Sequence, residues 1–173
     1  AVSVLTEPTR FGGSLDDLRR AVACCALPIL RKDFLVRPEQ VGESATAGAS
    51  AVLLIARCLP GPLLAELAAA ARGCGLDALV ECHDEADLER ALALPDAAIG
   101  INNRDLDTLR VDRGVVLRLS PRVPPDRVVV AESGYDDPEQ LRPLAGRVDA
   151  VLIGSALMRG GDAAAFARPE VRR

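Results

Sequence analysis

The chain holds a single lysine, Lys32, among its 21 basic side chains, and that lysine ends an apolar run: Pro28-Ile29-Leu30 passes directly into Arg31-Lys32-Asp33-Phe34. A buried parallel strand that finishes on charged residues leaves the core at that point and presents them to a ligand. Four more apolar runs finish in the same manner, on Glu81, on Asn102-Asn103-Arg104, on Glu132-Ser133-Gly134 and on Gly154-Ser155. An ammonium and a carboxylate at two such endings suit proton donation and proton acceptance, which makes Lys32 and Glu81 a candidate acid–base pair. A structural ion pair of Lys32 with Asp33 or Glu132 uses the same charges and is the competing reading. Coding bias toward arginine explains why lysine is rare, but not why the remaining one stands here.

The small residues after the last two runs point to an anion. Ser133-Gly134 and Gly154-Ser155 let backbone N–H groups approach a phosphate, and Ala156-Leu157-Met158-Arg159 fits a short helix beside them. Ordinary strand-to-helix turns use the same residue types. Asn102 offers an amide that donates and accepts toward a hydroxyl, and Arg104 can reach a phosphate or carboxylate. Phe11, Phe34, Leu53 and Leu109 are candidate apolar walls for a flat aromatic ring. His83, the only histidine, precedes the helix-capping Asp84 and reads as a local hydrogen-bonding partner rather than a catalyst.

These residues need a scaffold that brings strand ends together. Apolar runs end near residues 5, 30, 54, 80, 101, 130 and 153, steps of about 25 residues, the length of one strand plus one helix. Between them lie helix signals: Ser14 with Asp17 as a capping box, Pro38 at a first turn, Pro62 to Arg72 closed by Gly73, and Asp84 with Asp87 at the next start. Val115 to Leu119 reads as a short helix stopped by Pro121, Pro138 starts another, and an Ala-rich helix runs from Asp162 to Ala167. Continuous apolar strands with helical crossovers predict a parallel sheet covered by helices. No G-x-G-x-x-G marks the switch point of an open sheet, and polar residues follow almost every strand, so the expected α/β fold is a (βα)8 TIM barrel. Seven of its eight strands are counted here, in a single domain over residues 1–173.

Composition narrows the function. A net charge of −4 and the lack of any basic block argue against nucleic acid as a partner. No run approaches the roughly 18 to 20 apolar residues that span a bilayer, and the first residues resemble no signal peptide, so a cytoplasmic protein without membrane contact is expected. Five cysteines without C-x-x-C spacing support neither a disulfide framework nor a zinc site, and are expected to be small reduced core residues. No metal is expected.

Taken in order, Ser3-Val4-Leu5-Thr6-Glu7, Leu30 to Phe34, Ala51 to Ile55, Leu79-Val80-Glu81, Gly100 to Leu106, Glu132-Ser133-Gly134 and Leu152 to Met158 closely resemble the indole-3-glycerol-phosphate synthase family of tryptophan biosynthesis, over practically the whole chain. The resemblance implies a carbon–carbon lyase acting on 1-(2-carboxyphenylamino)-1-deoxyribulose 5-phosphate, closing a pyrrole ring with loss of carbon dioxide and water, without an organic cofactor. It implies that Lys32 is the general acid on the ribulose carbonyl and that Glu81 assists proton removal during dehydration. Asn102 and Glu132 would orient the substrate and the lysine. Arg104, Ser133, Gly134, Gly154 and Ser155 would line the phosphate end, and Phe11, Phe34, Leu53 and Leu109 the aromatic end.

One departure stands at the front, where the family's helical extension and a first barrel strand bearing a catalytic glutamate and lysine have no counterpart before Ala1. The expectation is a barrel truncated at its N-terminus, whose residues 1–173 alone turn over poorly and whose open edges invite self-association or a complementing strand. Two alternatives belong to other classes: an isomerase of a phosphoribosyl-type substrate on the same phosphate-binding barrel, and an inactive truncated barrel acting as a binding or regulatory partner.

Overall fold

Apolar runs too short for helices alternate with capped amphipathic segments, and a computed structural model, which describes residues 1–167, turns the former into strands and the latter into helices. The contacts group the chain into two compact units, Ala1–Glu81 with Ala93–Ala97, and Cys82–Leu92 with the residues from Ala98 onward.

In the first unit β1 (Val2–Leu5), β2 (Ile29–Lys32), β3 (Ala51–Ile55) and β4 (Asp77–Cys82) lie side by side, each parallel to the next. The helices α1 (Pro8–Phe11), α2 (Leu15–Cys24), α3 (Pro38–Thr46) and α4 (Gly61–Gly73) fill the crossovers. Register decides what each face of this sheet carries. Leu30 pairs with Ala51, Leu53 with Leu79 and Ile55 with Glu81, so the two-residue alternation places Leu30, Lys32, Leu53, Ile55, Leu79 and Glu81 on one face. Arg31, Val52 and Leu54 take the other, against which α3 and α4 pack with buried Val41, Ser44, Leu64, Leu67 and Ala71. Each fully buried Leu or Val contributes about 1.5–3 kcal/mol relative to exposure, enough to fix which face turns inward. Gly48 closes α3 at φ +90°, where a Cβ would strike the methyls of Val22 on α2, so this crossover needs a glycine for both conformation and space.

In the second unit β5 (Ala98–Asn102), β6 (Val129–Glu132) and β7 (Ala150–Leu152) are again parallel, with Asn102 opposite Glu132 and Glu132 opposite Leu152. Helices α5 (Glu85–Leu92) and α6 (Gly114–Leu119) pack on β5, burying Leu88, Ala91, Val116 and Leu119 near Ile99 and Ile101. Two short helices, α7 (Ser155–Met158) and α8 (Ala163–Phe166), complete it.

Several local expectations are corrected. The helical turn α1 is one the sequence patterns do not announce; it forms because the Glu7 carboxylate accepts from the backbone N–H groups of Thr9, Arg10 and Phe11, and these bonds hold its pKa below the usual carboxylate value. Gly73 continues α4, and the left-handed residue that turns the chain is Gly75 at φ +71°. Helix α6 ends at Leu119 as expected, with Pro121 in the 3-10 turn Ser120–Arg122 that follows, whereas Pro138 opens a 3-10 segment, Pro138–Leu144, that contains Pro143. A proline lacks the N–H an α-helix needs, and the tighter turn tolerates the loss over a short run. Of the cysteines only Cys82 is buried, while Cys24, Cys58 and Cys74 are exposed and Cys25 is half-buried. Those four lie at helix ends and turns, which the core does not cover.

Candidate active site

The alternation along β2 separates three consecutive charged residues. Arg31 turns to the helical side, where Nε donates to Thr6 Oγ1 (3.0 Å), Nη1 to Ser44 Oγ (3.0 Å) and the Gln40 carbonyl (2.9 Å), and Nη2 to Asp33 Oδ2 (2.9 Å). Thr6 Oγ1 donates to the same Asp33 oxygen (2.6 Å), and Asp33 Oδ1 accepts from the Phe34 N–H (2.8 Å). This buried clamp ties the end of β1, the end of β2 and α3 together. A buried charge is tolerated only when paired and hydrogen-bonded, and the clamp does both.

Lys32, between the two clamped residues, faces the opposite way. Its Nζ stands 3.1 Å from Glu81 Oε2, with the lysine side chain 25% exposed and the glutamate 1%. The reading of a Lys32–Asp33 pair is thereby overturned, because Asp33 belongs to Arg31. A buried carboxylate beside a partly exposed ammonium can exchange a proton with a ligand on the lysine side. Leu53 lies on the same face, its backbone two residues before Ile55, the register partner of Glu81, and it is 1% exposed. Phe11 and Phe34 stack at 6.5 Å between centroids and 21° between planes, an arrangement favourable for aromatic pairs. Phe11 is 53% exposed, so the pair offers an apolar surface.

In the second unit the predicted residues gather at the carboxyl ends of β5, β6 and β7. Asn102 and Glu132 are register partners, share one face and are both buried. Asn102 Oδ1 accepts from the Arg104 N–H (2.9 Å), and Arg104 Nη1 donates to the Leu109 carbonyl (3.1 Å). Leu109 itself is 63% exposed in a turn with φ +59°, and its carbonyl takes the Arg104 bond. Ser133 and Gly134 follow β6 in consecutive left-handed conformations, φ +64° and +86°. Gly154 precedes Ser155, the first residue of α7, directly after β7, the strand paired to β6. The backbone N–H of His83 donates to Asp87 Oδ2 (3.0 Å), and its ring Nδ1 lies 3.4 Å from the same oxygen. Burial pushes the Asp87 carboxyl up, but bonds from His83 and Arg90 outweigh it and leave the pKa lowered.

Sequence reasoning passes over Asn103. It is buried, lines a cavity of about 210 Å³ with His83, Asn102, Asp105, Arg110, Asp112 and Val115, and its amide joins three chain segments. The signal was the doubled Asn itself, because only one of two neighbours after a strand can share the face of Glu132. Among the described residues no group of three or more His, Cys, Asp or Glu side chains is arranged to hold a metal, and no helix is long and apolar enough to cross a membrane.

The family model of indole-3-glycerol phosphate synthase matches residues 1–169. Curated relatives include the indole-3-glycerol phosphate synthase of Deinococcus radiodurans, 48% identical over 100% of this chain and 66% of that protein. That of a Nocardioides species is 50% identical over 94% of this chain and 63% of the relative, and indole-3-glycerol phosphate synthase 2 of Streptomyces coelicolor is 49% identical over the same shares. The chain thus spans between 60% and 66% of the length of the curated relatives it matches. Among solved structures, an N-acetylmannosamine-6-phosphate 2-epimerase from Clostridium perfringens is similar at TM-score 0.69 and 15% identity, covering 90% of this chain and 73% of that one. The tryptophan synthase alpha subunit of Legionella pneumophila is similar at TM-score 0.60 and 16% identity, covering 84% and 57%. These likenesses show the fold alone: seven parallel strands of the TIM-barrel class.

Proposed function

Because this chain belongs to the indole-3-glycerol phosphate synthase family, we propose that it carries the ring closure of 1-(2-carboxyphenylamino)-1-deoxyribulose 5-phosphate to indole-3-glycerol phosphate, with release of carbon dioxide and water. The observation that carries the reading is the Lys32 ammonium 3.1 Å from the buried Glu81 carboxylate on one face of the sheet.

In this reading Lys32 donates its proton to the ribulose carbonyl oxygen as the anilino ring carbon forms the new carbon–carbon bond. The ring carboxylate then leaves as carbon dioxide, and its bonding electrons restore aromaticity. The hydroxyl made in the first step leaves as water, protonated by a general acid, while Glu81 takes the proton whose loss completes the pyrrole. Phe11, Phe34 and Leu53 hold the aromatic end, and Leu109 borders it. Asn102 and Glu132 orient the hydroxyls and the lysine. Arg104, Ser133, Gly134, Gly154 and Ser155 take the phosphate, supported by the left-handed conformations of Ser133 and Gly134, a kind of turn whose backbone N–H groups can cradle an anion.

The test is direct. The purified chain, free of host enzyme, is mixed with the substrate and the indole chromophore followed by ultraviolet absorbance, with Lys32→Ala as the paired sample. Indole formation that disappears in the variant supports the proposal, and sugar isomerisation without an indole chromophore refutes it.

A further inference from the structure

Asn103 leaves β5 with every polar group of its side chain engaged. Its Nδ2 donates to the Ser133 carbonyl (3.0 Å) and to the Tyr135 hydroxyl (2.9 Å), and its Oδ1 accepts from the Val116 N–H in α6 (3.2 Å). Its backbone is fixed as well, the N–H donating to the Glu132 carbonyl (3.0 Å) and the carbonyl accepting from the Asp112 N–H (2.9 Å). Burial raises the Tyr135 pKa, opposed by the bond from Asn103, so the hydroxyl stays protonated and the amide is held from both ends.

What this amide grips is a strained turn. Ser133 adopts φ +64°, a conformation that costs a non-glycine residue on the order of 1 kcal/mol and persists only when its surroundings impose it. The peptide group is planar and trans, so its C=O and N–H point in opposite directions. Capturing the Ser133 oxygen on the Asn103 side therefore aims the Gly134 N–H away from Asn103. Arg113 Nη1 holds the next carbonyl, that of Gly134, at 3.2 Å. A Cβ on Gly134 would run into the Val111 side chain, and Val111 is itself bridged to Arg104. The loop from Asn103 to Arg113 thus forms a mould for the turn after β6.

We infer that Asn103 is a positioning residue that orients the Ser133–Gly134 peptide so that its N–H faces the phosphate of the substrate. The inference rests on the reading of that turn as the phosphate end. It assigns Asn103 no contact with the ligand: the amide works through the Ser133 carbonyl.

Asn103→Asp separates this role from general support, because the carboxylate still accepts from Val116 N–H but replaces the donor to Ser133 with a repelling oxygen. In the full chain, the affinity for inorganic phosphate and for 2-aminobenzoate, the aromatic end without phosphate, is measured by calorimetry on parent and variant. Expected is a loss of about tenfold or more for phosphate, the scale of one hydrogen bond to a charged group, with 2-aminobenzoate held within about twofold and KM rising more than kcat falls. Unchanged phosphate affinity, or an equal loss for both ligands, overturns the inference. Should the parent bind 2-aminobenzoate but not phosphate, the phosphate reading itself falls, which is a different result. If Asn103→Asp does not fold, phosphate titrated into the 15N-labelled parent decides: the Gly134 amide resonance must shift, and a stationary one refutes the role.

Discussion

Replacing Lys32 by methionine removes one charge from a contact of 3.1 Å and leaves the Glu81 carboxylate, 1% exposed, without that ammonium. Breaking a fully buried pair costs roughly 3–5 kcal/mol, and exposed pairs are worth about 1 kcal/mol or less. With the lysine 25% exposed, the expected cost lies between, at about 1–3 kcal/mol in urea unfolding. Glu81→Leu alone removes the buried charge, and the double variant Lys32→Met/Glu81→Leu should be less destabilised than the two singles summed, by about 1–2 kcal/mol. Turnover should behave differently. Either single change should lower kcat by about 100- to 10,000-fold, and the double should fall little further, because a proton donor and its partner act as one unit. The assay pairs urea midpoints with indole formation by absorbance. If Lys32→Met keeps kcat within about threefold of the parent, Lys32 is not the acid. Stability costs that add within about 0.5 kcal/mol would show that the contact carries no coupling.

Arg31→Met leaves Asp33 buried without its guanidinium, and should cost about 3–5 kcal/mol in urea unfolding and depress kcat, although Arg31 faces away from Lys32. A loss under about 1 kcal/mol would mean the clamp is not structural. Gly134→Ala puts a Cβ against Val111 at φ +86°, so a stability loss of about 2 kcal/mol or more and weaker phosphate binding are expected, and a neutral thermal midpoint would contradict both. Asp87, whose pKa is lowered from 3.8 in the fold, contributes stability that is full above its unfolded value and is lost as the pH falls through the folded one. Asp87→Asn should therefore flatten the decline of the urea midpoint below about pH 4, and an unchanged acid limb would exclude the carboxylate as its source.

The strand ends were legible because two signals coincided there, an apolar run long enough for one strand and an immediate change to charged or small residues. Lys32 and Glu81 meet as the alternation requires once the β2–β3–β4 register is known, but that register lies in backbone pairing that no local pattern spells out. The same alternation hides Arg31 and Asp33 on the reverse side, so three charges that look equivalent in sequence divide into a buried clamp and one partly exposed ammonium. Asn103 illustrates the other limit. Its importance comes from residues 13 to 32 positions away, and nothing in the dipeptide Asn102-Asn103 says which amide turns inward. Pro138 marks a helical start, but whether the segment winds as α or 3-10 is not legible there, because the difference is one residue in hydrogen-bond span. Leu109 shows the same limit in its backbone: its left-handed conformation and its 63% exposure are not announced by its residue type.

The uneven placement of the thiols makes the chain its own folding reporter. Cys24, Cys25, Cys58 and Cys74 lie within reach of an alkylating reagent in the native state, and Cys82, with no accessible surface, lies beside Glu81 in β4. Under a reagent pulse the mass of intact protein should first rise by the readily labelled groups, and the final increment should arrive only as fast as the strand carrying Glu81 opens. The kinetics of that last addition would measure how securely the carboxylate is held, without any dye, tag or substitution.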